Sequence, residues 1–196
     1  LNDRFFLKGN WSKKFANTNP IILELGCGKG EYTVNLAKMY PNYNYIGVDI
    51  KGSRIYSGAD IVKREDLQNV LFLRTHVEYL EKIFAQNEVF AIWITFPDPQ
   101  IKFRRRKKRL THPLMLKKYK NILIKDGVVH LKTDSQFLHG YTLGVLEKID
   151  AKVITSKNDI YKHCIMDDRL YIKTYYEKIF LENNQPITYL AFSFLY

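Results

Sequence analysis

The sequence predicts an α/β fold with a doubly wound, mostly parallel sheet, and three observations predict it. Short apolar runs alternate with helix-patterned segments from residue 21 to about 155, as strand–helix–strand units require. The run Val89–Phe96 is apolar almost throughout, as suits a strand covered on both faces. Finally, Ile21-Ile22-Leu23-Glu24-Leu25 opens directly into Gly26-Cys27-Gly28-Lys29-Gly30-Glu31, which reads as strand, tight turn and helix start. Glycine permits such a turn because it has no Cβ. The helix start behind it presents free N–H groups.

Taken in order, residues 1–20, with Trp11, Phe15 and Pro20, read as a lead-in arm. Ile21–Leu25 is the first strand and Glu31–Met39 the first helix, with Pro41 just past its end. Tyr43–Val48 is the second strand. Ser53–Asp66 is a helix carrying Ile55, Ala59, Ile61 and Val62. Val70–Leu73 is a short third strand, Val77–Phe84 a short helix and Val89–Phe96 the fourth strand. Pro97–His112 is an irregular, very basic loop. Leu114–Ile124 is a helix stopped by Lys125-Asp126-Gly127, and Val128–Lys132 is the fifth strand. A helix over Phe137–Ile149 leads to a sixth strand, Lys152–Thr155. Asp159–Asp168 reads as loop or mixed structure, Tyr171–Phe180 has no decisive period, and Ile187–Phe194 is a terminal strand. No repeat or linker interrupts the pattern, so residues 1–196 read as one domain with residues 1–20 as its arm.

A chain of 196 residues, 46% hydrophobic and 14% aromatic, is long enough to bury a sizeable core. Its net charge of +11 predicts a polyanionic partner, a nucleic acid or an anionic membrane surface. No apolar run is long enough to span a bilayer, and no signal peptide is visible. The two cysteines, Cys27 and Cys164, offer no disulfide framework, which fits a reducing cytoplasm. The five histidines (His76, His112, His130, His139 and His163) lack metal-ligand spacing, so no metal is expected.

The chemistry is expected at the carboxyl ends of the strands, where doubly wound sheets bind ligands. The dinucleotide fingerprint is G-x-G-x-x-G; here Gly26, Gly28 and Gly30 are each two apart, and Glu24 precedes them. A carboxylate there repels phosphate and suits a ligand carrying an amine. Asp49 ends the second strand, nineteen positions past Gly30, where an acid can hold ribose hydroxyls. Together these resemble the first motifs of S-adenosylmethionine (SAM) methyltransferases. The fourth strand ends in Phe96-Pro97-Asp98-Pro99-Gln100, whose prolines stiffen the backbone about Asp98. Behind it, Lys102, Arg104, Arg105, Arg106, Lys107, Lys108 and Arg109 are seven cations in eight residues. Such a run engages phosphates without reading sequence.

Phe96-Pro97-Asp98-Pro99, the basic loop and Arg109-Leu110-Thr111 resemble the tRNA (guanine-N7-)-methyltransferases. So do His130-Leu131-Lys132-Thr133-Asp134 and Thr174-Tyr175-Tyr176-Glu177-Lys178, and the match spans about residues 21–195. Gln100 stands where that family commonly has Trp, and Thr75-His76 where an Asp or Asn followed by Ala meets the adenine end of SAM. The resemblance implies a Rossmann-like, seven-stranded SAM-dependent methyltransferase fold with an antiparallel C-terminal strand. It implies SAM on Glu24, Gly26, Gly28, Gly30, Asp49, Thr75 and Asp98, with Asp98 catalytic. It implies that Lys102, Asp134, Thr174 and Glu177 bind the substrate, and that residues 104–109 grip its backbone. The partner would be tRNA, and the reaction methylation of guanine N7 at position 46 of the variable loop. Monomer and homodimer both remain open.

N7 carries an in-plane lone pair and no proton, so its methylation needs no general base. Alignment of nucleophile, methyl and leaving group is the main requirement, and orientation can contribute roughly 7–11 kcal/mol. Cys27 is then a small packing residue. The plainer alternatives are that Asp134 caps the following helix and that Glu177 pairs at the surface with Lys173 or Lys178. Tyr175 and Tyr176 divide between packing and base stacking, in an order the sequence does not give. Rival readings are a SAM methyltransferase for another RNA or a protein, a non-catalytic RNA-binding module, and an NAD-dependent oxidoreductase. The second does not need Glu24 with Asp49, and the third is opposed by Glu24 and the glycine spacing.

Overall fold

A computed structural model describes residues 6–162 and 167–196. His163 and Cys164, and the part of the expected 159–168 loop that holds them, lie outside the described residues. The seven strands are β1 (Ile21–Leu25), β2 (Asn44–Asp49), β3 (Val70–Arg74), β4 (Val89–Thr95), β5 (Leu123–Thr133), β6 (Ala151–Lys157) and β7 (Thr188–Phe194). They form one sheet in the order β3-β2-β1-β4-β5-β7-β6. β7 runs antiparallel to both β5 and β6, and every other pairing is parallel. Connections from β1 run outward one way to β2 and β3, whereas β4 and β5 lie the other way. The strand order therefore reverses between β1 and β4, and a crevice opens at the tips there.

All five residues of β1 and all six of β2 are buried. Alternation along each strand divides them between two apolar layers. Leu23, Leu25, Ile46, Val48, Ile92, Ile94, Val129 and Leu131 face one layer. Ile22, Tyr45, Trp93 and Tyr189 face the other. Full burial of each such Leu or Ile side chain stabilises by about 1.5–3 kcal/mol. Trp93 lies flat on His130, 4.1 Å between centroids at 9°. Burial holds the His130 pKa down at about 3, so the ring is neutral in this stack.

Among the described residues seven α-helices flank the sheet: α1 (Trp11–Phe15), α2 (Glu31–Met39), α3 (Gly52–Arg64), α4 (Leu80–Ile83), α5 (Pro113–Ile122), α6 (Gln136–Leu146) and α7 (Tyr175–Glu182). The expected lead-in arm is packed onto the core: Trp11 and Phe15 are buried, and Trp11 stacks on Phe84 and donates to the Ile83 carbonyl at 3.1 Å. Val77–Tyr79 is a 3₁₀ turn ahead of the short α4. Lys125-Asp126-Gly127 does not follow a helix as expected. The helix stops at Ile122, β5 begins at Leu123, and the pairing register jumps across the turn, where Asp126 takes φ 63°. The stretch from 171 to 180, without a decisive period, holds the start of α7, capped by the Thr174 hydroxyl, which accepts from Glu177 N.

Candidate active site at the strand tips

The β1–α2 turn is built on left-handed backbone, with Gly26, Gly28 and Gly30 at φ 75°, 55° and 75°. Gly26 N and Cys27 N both donate to the Val48 carbonyl, locking the turn to β2. A Cβ on Gly30 would lie 2.4 Å from the Phe72 ring, so this glycine is required by packing as well as by conformation. A Cβ on Gly28 would meet nothing within 4 Å, so the turn is open on that side. Asp49 braces the turn from below: its Oδ2 accepts from Gly28 N at 3.0 Å and its Oδ1 from Lys51 N at 2.8 Å. A carboxylate has about four acceptor positions, so Asp49 keeps capacity for a ligand's hydroxyls. Thr75, at the end of β3, is buried and donates its N–H to the Asp49 carbonyl at 3.1 Å.

Glu24 is buried in the middle of the sheet and lines the crevice. Its Oε2 accepts from Thr33 N at 2.8 Å and from the Thr33 hydroxyl, and its Oε1 from the Thr95 hydroxyl at 2.6 Å. Burial pushes its pKa from 4.5 up to about 7, against the pull of those hydrogen bonds. The folded protein thus holds a proton that the unfolded chain has lost between these two values. Stability falls as pH rises through that window. Glu24→Gln is expected to flatten this dependence, leaving the variant more stable than the parent at pH 8 by up to about 3 kcal/mol. Urea midpoints at pH 5 and pH 8 check it. A cationic amine brought to Glu24 would favour the ionised form.

The residues fit SAM on these observations: an open glycine turn, one buried carboxylate with an unused acceptor position, and a second carboxylate at the next strand tip. Cys27 is buried and packed within the turn. Among the described residues no three His, Cys, Asp or Glu side chains converge as a metal site would need, and no helix is long and apolar enough to cross a membrane.

The loop after β4 is held in an unusual shape. Phe96 and Gln100 both take φ 47° on either side of Pro97-Asp98-Pro99, a conformation that non-glycine residues rarely adopt. Asp98 is exposed, with Oδ1 accepting from Gln100 N at 2.9 Å. Arg109 is corrected by the structure. It is 5% exposed and donates to the Pro99 and Gln100 carbonyls at 3.2 and 3.1 Å, with its guanidinium over the Phe137 and Tyr141 rings. It clamps the Asp98 loop from a buried position instead of standing exposed with the other cations of the run. Lys102, Arg104, Arg105, Lys107 and Lys108 are exposed, and Arg106 is half-buried. Residues 103–108 form a 3₁₀ turn.

Asp134 stands half-buried at the tip of β5, its pKa raised by burial. The capping role open to it belongs to Ser135, whose hydroxyl accepts from Leu138 N at 3.2 Å. Glu177 is placed otherwise than expected. It is fully buried, with Oε2 on Lys132 Nζ at 2.8 Å and Oε1 on the Tyr161 hydroxyl at 2.7 Å. It pairs with neither Lys173 nor Lys178, and both oxygens are engaged behind the crevice wall. Lys132 Nζ also donates to the Leu170 and Ile172 carbonyls, both at 2.9 Å. Burial pulls the Lys132 pKa down while Glu177 pulls it up. Sequence reasoning missed Lys132. The available signal was a lysine inside a strand destined for burial, which demands a buried acid.

The structure therefore brings Glu24, Gly26, Gly28 and Thr174 to one crevice, with Tyr175 and Tyr176 on the same wall. Both tyrosines are about half exposed, their rings at 73°, and Glu31 Oε2 accepts from Tyr175 N at 3.0 Å. Asp98, Lys102 and Asp134 are at neighbouring strand tips and do not line it.

Residues 18–190 match a family model described as "Putative methyltransferase". A tRNA (guanine-N(7)-)-methyltransferase of Christiangramia forsetii is 53% identical over 98% of this chain and 87% of its own length. One of Bacteroides fragilis is 45% identical over 97% of this chain and 75% of its own. Among solved structures, the 16S rRNA methyltransferase KamB superposes with a TM-score of 0.69 at 13% identity, over 93% of this chain and 91% of that one, a likeness of fold. The glycine turn, its two acids and the buried clamp on α7 thus occur in a chain similar along nearly its whole length to curated enzymes, and it belongs to the tRNA (guanine-N7-)-methyltransferase family.

Proposed function

We propose that this chain, as one domain, transfers a methyl group from SAM to N7 of guanine at position 46 in the variable loop of tRNA, in the cytoplasm. The observation that carries the reading is the crevice at the strand reversal, where Glu24, the open glycine turn and Thr174 meet. Glu24 would hold the amino group of the methionine moiety, Asp49 the ribose hydroxyls and Thr75 the adenine end. SAM supplies an electrophilic methyl on a sulfonium. Asp134 would accept from guanine N1–H and N2–H₂, which adenine lacks in that pattern. Thr174 would contact the nucleotide, and Glu177 would act through it by fixing the start of α7. Asp98 would face the positive charge that spreads over the purine, and Lys102 the neighbouring RNA. No residue need take a proton from N7.

Two unmodified tRNA transcripts differing only in guanine or adenine at the variable-loop position test this with labelled SAM. Label on the guanine transcript alone, with chain scission specific to N7-methylguanine, is the expected result. Equal label on both, or label without scission, would overturn the target atom.

A further inference from the structure

We infer that Phe103 is a stacking platform for an unpaired base of the RNA substrate. The inference rests on the RNA reading above and assigns a second kind of contact to the basic loop. Single exposed apolar residues are ordinary on protein surfaces, but the setting of this one is not. Phe103 is 75% exposed, lies within the run of seven cations, and adjoins Ile101 at 68%. Packing gives it nothing to do.

The ring is nevertheless held in place. The Arg106 guanidinium covers one face at 3.9 Å, and Arg106 Nη1 donates to the Phe103 carbonyl at 3.3 Å. The turn beneath is closed by Arg105 N on the Lys102 carbonyl at 2.8 Å and Arg109 N on the Arg106 carbonyl at 3.2 Å. The Arg109 clamp ties the same loop to the Asp98 segment. One face of the ring is thus backed by a cation and the other is open. An aromatic plane backed by one cation and surrounded by others matches a nucleobase beside its own phosphates. Aromatic side chains stack on splayed-out bases regardless of their identity. Charge complementarity favours RNA over a neutral apolar partner.

The experiment measures tRNA binding at several salt concentrations for the parent, Phe103→Ala, Phe103→Trp and Arg105→Gln. Phe103→Ala is expected to weaken binding roughly 5- to 100-fold at every salt concentration. Its salt slope should be unchanged, because no counterion release is lost. Arg105→Gln should lower the slope. Phe103→Trp should bind as the parent does and lose fluorescence on adding tRNA. Trp11 and Trp93 are buried, at 2% and 0% exposure, so the introduced indole is the exposed reporter. Unchanged affinity in Phe103→Ala, with the Arg105→Gln slope lowered, would overturn the platform and leave the RNA reading standing. A parent that does not bind tRNA would overturn both. Quenching by anionic lipid vesicles and not by tRNA would assign the ring to a membrane surface and overturn the proposal.

Discussion

Lys132→Met is expected to lower folding stability by about 3–5 kcal/mol, and adding Glu177→Leu to recover the part of that loss that comes from the unpaired charge. The single change leaves a fully buried carboxylate without its cation, and the Leu170 and Ile172 carbonyls without a donor. Desolvating an unpaired charge is costly, whereas replacing both members by apolar side chains removes charge and counter-charge together. Urea unfolding of both single variants and the double variant gives the coupling energy directly. Additive losses would mean that the two groups do not stabilise one another. The same variants report on Thr174, because Glu177 N and the Thr174 hydroxyl share the cap that sets the crevice wall.

Asp98→Ala is expected to lower kcat by roughly 10²–10³-fold, the range for losing one well-placed electrostatic stabiliser. The side chain is exposed and makes one hydrogen bond within its own turn, so stability and tRNA affinity should change little. That bond also offers a rival account, in which Asp98 merely shapes the loop. Asp98→Asn separates the two. An Asn side chain can still accept from Gln100 N but carries no charge. Single-turnover rates as low in Asp98→Asn as in Asp98→Ala support the electrostatic role. Parental rates in Asp98→Asn would reduce Asp98 to a turn residue.

What the sequence made legible was local in the chain. Glu24, the three glycines and Asp49 lie within thirty residues, and their spacing alone placed them at adjacent strand tips. The strand–helix alternation revealed the sheet for the same reason, since each unit declares itself within its own window. Long-range pairings were not legible. Lys132 and Glu177 are forty-five positions apart, and nothing in either segment names the other. Arg109 shows the complementary difficulty: it is the last of seven similar letters, yet it lies under the loop that the others decorate. Its hydrogen bonds to the Pro99 and Gln100 carbonyls and the aromatic pair Phe137 and Tyr141, from a helix later in the chain, distinguish it.

The place of β7 between β5 and β6 governs the order in which the molecule can be assembled. Among the described residues β6 pairs with β7 alone, which follows it some thirty residues later in the chain. Until residues 188–194 arrive, β5 is a naked edge, and β6 has no place in the sheet. A nascent chain that stops short of β7 therefore carries an open, apolar strand border of the kind that pairs with other chains. Completion of this half of the sheet is a closing event that depends on its last strand, and a chain cut before residue 188 leaves the β5 border unpaired.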